Sequence, residues 1–162
     1  MSELRIEVDP GRVQQALRRA PRLLERELAR ELGRVGLDIA NDWKDAAPKA
    51  TSVYANSINV RQPDAGTVEI FAGVDYARLV EEPTGPQPMP PVEHIEEWIT
   101  TGAGITPNDP ADDPRDLAWR IARSIARGGT RAQPAAGPAL EKNRANASRR
   151  VNAAIDRALE AA

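Results

Sequence analysis

Between Pro21 and Ala46 the apolar residues Leu24, Leu28, Leu32, Val35, Ile39 and Trp43 recur every three or four positions. On a helix that spacing makes one continuous stripe, with charged residues on the opposite face. Val13, Leu17 and Ala20 carry the stripe backwards. A stripe this long must be covered by something. Only about one helix of this length is expected, so a sheet or neighbouring subunits are the expected cover. Asp9-Pro10 supplies an N-cap and a proline at the first helical position, predicting a short helix to about Arg19. Pro21 interrupts that helix or restarts it as a new first turn. Ala47-Pro48-Lys49 ends the long one, because the residue before a proline avoids the α region.

Downstream the period changes. Ile58 and Val60 alternate with polar residues, Pro63-Asp64-Ala65-Gly66 signals a turn, and Val68, Ile70, Ala72 and Val74 alternate again. These features predict a hairpin. Leu4, Ile6 and Val8 alternate in the same way and form a candidate third strand. Thr51–Asn56 reads as a loop. Five prolines between Glu82 and Pro91 exclude helix and central strand, leaving an extended, polyproline-like loop or arm. Pro91 opens a helix carrying Val92, Ile95, Trp98 and Ile99, with Gly102 and Gly104 closing it. Asp113-Pro114 repeats the cap-plus-proline signature, and Leu117, Ile121 and Ile125 follow until Gly128-Gly129. From Pro138 a last helix holds Leu140, Val151, Ile155 and Leu159, with an Asn/Arg-rich middle expected to be exposed or to pack only in an assembly. The expected fold is α+β. A small antiparallel sheet of about three strands packs with the long N-terminal amphipathic helix and two to three further helices, in a single domain over residues 1–162.

With a net charge of -2, the chain carries no global signature of nucleic-acid binding. The distribution is more informative. Nine acidic residues lie between Glu81 and Asp116 against Arg115 alone, and eight basic residues lie between Arg120 and Arg150 against Glu141 alone. An acidic middle and a basic end are either two solvated faces or the complementary halves of a head-to-tail interface. Alanine supplies much of the apolar content and aromatics only 4%, which suits elongated helices burying surface against copies of themselves. Without cysteine there is no disulfide or thiolate chemistry. No signal peptide is read at the N-terminus, and no stretch approaches the ~20 apolar residues that span a bilayer.

Catalytic signatures are not found. His94 is the lone histidine; with Glu93, Glu96 and Glu97 it sits on a helix start, where acids are favoured by the dipole. A hard-cation site there is the alternative. Neither a Gly-x-Ser-x-Gly elbow nor a Gly-x-x-x-x-Gly-Lys phosphate loop occurs. No catalytic residue, metal or cofactor is expected. Arg120, Arg123 and Arg127 line one helix face, compatible with nonspecific contact to DNA. Trp43 and Trp98 fall on apolar stripes, whereas Trp119 is either a core-edge residue or an interface anchor.

The order of several short motifs resembles the phage neck and tail-completion family typified by the gene-ten product of phage HK-ninety-seven. The motifs begin with Ala47-Pro48, Thr51, Asn56-Ser57-Ile58, Gly73-Val74-Asp75-Tyr76-Ala77-Arg78-Leu79-Val80-Glu81 and Pro83-Thr84-Gly85-Pro86. They continue through Met89-Pro90-Pro91, Ile95–Ile99, Ile121–Arg127, Gly129-Thr130, Pro134 and Pro138-Ala139-Leu140. The similarity runs over roughly Leu24 to Val151. Pro83 replaces the family's usual glycine, and Ala135, Ala136 and Gly137 replace an expected aromatic. The resemblance implies a non-enzymatic structural ring in the virion, at the head–tail junction of a siphophage-like particle assembled in the host cytoplasm. Six copies are favoured and twelve are the alternative. The implied partners are further copies, adjacent head-closure or connector proteins, tail-terminator or tail-tube proteins, and DNA in the lumen, with no membrane. Candidate inter-subunit or ring–ring contacts are Glu81, Glu82, Pro86, Pro88 and Pro90 from the acidic stretch. Trp119, Arg120, Arg123, Arg127 and Arg131 are those from the basic one. A tail terminator is the nearest rival, then a DNA-binding packaging accessory or regulator, then a small hydrolase.

Overall fold

A computed structural model describes residues 8–48, 52–100 and 113–161. Its elements run α1 (Pro10–Arg19), α2 (Pro21–Ala46), α3 (Val53–Asn56), β1 (Ile58–Asp64), β2 (Thr67–Ala72), α4 (Ala77–Glu81), α5 (Val92–Thr100), α6 (Pro114–Gly128) and α7 (Ala136–Glu160). The fold is α+β and mostly helical. They fall into two compact units, one built from residues 1–46, 56–73 and 135–162 and the other from 47–55 and 74–134.

In the first unit Asp9 caps α1 through its side chain, accepting from the Gly11 amide at 2.8 Å with Pro10 in the first turn. Ala20 leaves the helical region (φ -144°, ψ 61°), and Pro21 restarts the chain as α2. The cover for the long stripe is a second helix of nearly equal length. Arg157 reaches Glu27 and Glu31, Arg150 reaches Asp38, and Lys142 reaches Asp42, so α7 runs antiparallel to α2. The buried face of α7 is made of Ala139, Asn143, Ala147, Val151, Ala154, Ile155 and Ala158, at helical spacing. Its Asn/Arg-rich middle, expected to be exposed or to pack only in an assembly, buries one side within the chain through Asn143 and the fully enclosed Ala147, while Glu141, Lys142, Ala145 and Arg149 stay exposed. Alanine lets the helices approach closely, and Asn143 is satisfied by Asp42 and the Ala139 carbonyl. Leu24, Ala16, Val151, Ile155 and Ala158 form one core cluster, and Val35, Ile39 and Ala147 another. Removing a side chain such as Leu24 from such a site costs ~2–5 kcal/mol.

The antiparallel hairpin closes this unit. Ile58 pairs with Ala72, Val60 with Ile70 and Arg61 with Glu69, with a register shift between Arg61 and Asp64, which meets Thr67. Ala65 and Gly66 turn the chain, and the Asp64 carboxylate accepts from the Gly66 amide at 2.8 Å. Val60 and Val68 face α2 at Gly36, where an added Cβ would stand 2.6 Å from Val68 Cγ2 and 3.1 Å from Val60 Cγ1. Gly36 is thus the gap that seats the hairpin. The described sheet has two strands, not about three: Leu4 and Ile6 lie outside the described residues, and Val8 belongs to no strand. Val74 also falls beyond the end of β2.

The second unit contains α4, α5 and α6. Val92, Ile95 and Ile99 of α5 pack on Ala118 and Ala122 of α6, with Trp98, Leu117, Ile121 and Ile125 half-buried around them. Asp113 caps α6 as its sequence predicts, accepting from the Arg115 amide at 2.9 Å, and Gly129 ends it with φ 73°. The predicted closure of α5 by Gly102 and Gly104 lies outside the described residues. Two short helices, α3 and α4, were not predicted.

Candidate assembly surface

All ten candidate contact residues belong to the second unit. The proline-rich segment is laid along the C-terminal end of α6 and the residues after it. Val80 accepts from the Gln133 amide at 2.8 Å, the Thr84 amide donates to the Thr130 carbonyl at 3.0 Å, and the Gln87 amide donates to the Ala126 carbonyl at 3.3 Å. These three bonds run antiparallel, and Pro83 and Pro86, which have no amide hydrogen, occupy positions between them. The Thr84 and Thr130 hydroxyls lie 2.9 Å apart, and the Thr130 amide donates to Thr84 Oγ1 at 2.8 Å. Gly129 makes this approach feasible: a Cβ there would stand 1.8 Å from the Thr84 carbonyl oxygen. Pro86 and Pro88 are exposed on the outer side, Met89 is 41% exposed, and Pro90 is half-buried.

The two acidic candidates are engaged within the chain. Tyr54 donates to Glu81 at 2.6 Å. Arg78 donates to Glu82 at 2.7 Å across one helical turn. That hydrogen bond holds the Glu82 carboxyl below its ordinary range and raises Arg78. Each glutamate therefore already shares its charge with a group of the same chain.

The basic candidates differ. Trp119, Arg120, Arg123 and Arg127 are all exposed on α6, and Arg131 is exposed just beyond it. At 100° per residue the three helical arginines lie within ~60° of one another, opposite the buried Ala118–Ala122 seam. Arg120, Arg123, Ser124, Arg127 and Gly128 outline a shallow depression open to solvent. Among the described residues, neither Arg123 nor Arg127 has an ion-pair partner. Trp119, read from its spacing as core edge or interface anchor, is 48% exposed, whereas Trp43 is buried and Trp98 half-buried. On α5, Glu93, His94 and Glu97 occupy the face away from the core; Arg115 touches Glu93 and Glu96 from the side, at 3.9 and 3.4 Å.

Thr84, Gly129 and Thr130, which the sequence shows only as motif residues without a role, are the ones that fix this surface in place. The Gly128-Gly129-Thr130 run was the available signal. Sequence reasoning missed the buried carboxylates Glu27 and Glu31 of the first unit. Arg157 donates to both at 3.0 Å, and Arg30 and Arg34 add contacts at 2.5 and 3.2 Å. The lead effect on Glu27 is the Arg157 hydrogen bond, which holds its carboxyl below the usual value. Among the described residues no group of three or more histidines or carboxylates could hold a metal ion, and no helix is long and apolar enough to cross a membrane.

Residues 11–82 match the family model described as "Bacteriophage HK97-gp10, putative tail-component". The matched stretch takes in α2, the hairpin and α4, and ends at Glu82. The motifs between Pro83 and Val151 lie outside it. Neither the curated proteins nor the solved structures give a match.

Proposed function

From the match of residues 11–82 to the HK97-gp10-like family model of phage tail components, we propose that the chain is a member of that family, a structural, non-catalytic virion protein that builds a ring at the head–tail junction. The ring joins the head connector to the tail tube, with six copies around the channel and twelve as the portal-side alternative. The family match carries the reading.

The surfaces support it. The first unit is tied together by the α2–α7 seam and the seated hairpin, which suits a part whose job is mechanical. The second unit presents a stiff proline segment whose backbone is already bonded, so docking it orders few further degrees of freedom. It also presents an arginine row on one helix and a glutamate pair on another. Such complementary charges set register and partner choice more than raw affinity.

The test is genetic. Removing the chain from a phage that encodes it should leave DNA-filled heads and complete tails that do not join, and supplying it in trans should restore joined particles. Normal joined particles without the chain would refute the reading.

A further inference from the structure

We infer that the outer face of α6 on one copy docks on the outer face of α5 on the next, with Arg123 and Arg127 set against Glu93 and Glu97. This rests on the ring reading and names the contact that closes the ring.

The α5–α6 pair buries Val92, Ile95 and Ile99 against Ala118 and Ala122. The residues farthest from that seam on each helix therefore point to opposite sides of the pair. On α6 those are the arginines, with Asp116 at the N-terminal end of the same face. On α5 they are His94, Glu97 and Glu93, the last also approached by Arg115 of the same chain at 3.9 Å. One small packed element thus carries a positive side and a negative side. A surface of this kind cannot be its own complement by two-fold pairing, since like would meet like. It pairs head to tail, which is the arrangement that generates a ring.

The spacing agrees. Arg123 and Arg127 are separated by four residues, as are Glu93 and Glu97, so each pair spans ~6 Å along its axis. Two helices laid side by side then bring both pairs into reach together. Trp119, half exposed beside Arg123, supplies an apolar anchor next to the charges, the residue type that dominates such contacts. The occupant is a second copy because the complementary charge lies on this same chain.

Charge exchange on the purified full chain tests it, read by sedimentation at low and high salt. The wild type should form closed oligomers that weaken with salt. The pairs Arg123→Glu with Arg127→Glu, and Glu93→Arg with Glu97→Arg, should each weaken assembly at least ~10-fold with unchanged circular dichroism. Carrying all four, or mixing the two double variants, should restore it. Rings that survive either reversal overturn the contact and leave the ring reading standing, as do variants that assemble normally but lose retention on duplex DNA. A wild type monomeric at millimolar concentration overturns the contact. A chain missing from joined particles overturns the reading beneath it.

Discussion

At the scale of single residues, Gly36 decides how closely the hairpin sits on α2. Gly36→Ala gains roughly 1 kcal/mol of helix propensity. It also drives a methyl to 2.6 Å from a stiff valine, and overpacking of that kind costs ~1–3 kcal/mol. The second effect wins, so denaturant titration should show net destabilisation, and Val68→Ala in the same chain should recover part of it. If Gly36→Ala is more stable on its own, the hairpin does not rest there. Charged residues give a second expectation. Arg157 holds Glu27 below its ordinary 4.5, and Lys142 with Asn143 holds Asp42 below 3.8. Both folded values lie below the unfolded ones, so the stabilisation is complete above those ordinary values and lost as pH falls through the folded ones. The thermal midpoint should hold level down to about pH 5 and then drop. Glu27→Gln should flatten the acid limb; an unchanged limb would show that the Arg157 bond contributes nothing.

At the scale of elements, the α2–α7 seam works through small residues. Ala147→Leu has no room at a fully enclosed position and should destabilise the fold by ~1–3 kcal/mol or more. Leu37→Ala on the exposed side of α2 should stay within ~0.5 kcal/mol. Equal effects of the two would refute the antiparallel seam. Gly129→Ala combines a positive φ with a collision at the Thr84 carbonyl. It should release the proline segment, seen as faster amide exchange at Thr84 and Gln87 while α7 amides keep their protection. The ends of α1 and α6 were legible because Asp9-Pro10 and Asp113-Pro114 act locally through a cap and a fixed φ. The packing of α7 was not legible. Alanine carries little hydropathy, so a stripe of Ala139, Ala147, Ala154 and Ala158 hides among polar neighbours until a partner helix is placed on it. The burial of Glu27 and Glu31 was not legible either, because it depends on Arg157, more than a hundred residues away.

At the scale of the whole molecule, the hairpin and the long α2 follow from periodicity, whereas the assembly surface is only half written in the chain. Arg120, Arg123 and Arg127 share a face by their spacing, which the sequence displays. The internal bonds of Glu81 and Glu82 depend on Tyr54 and Arg78 meeting them in the fold, which their charge alone does not display. The central claim concerns where copies of this chain stand in a particle, and an electron cryomicroscopy reconstruction of the neck of a phage encoding it measures that directly. The account predicts a closed ring of copies around the DNA channel between the connector and the tail tube, six-fold in symmetry. Density for that region filled by other chains, with this one absent from the particle, would contradict it.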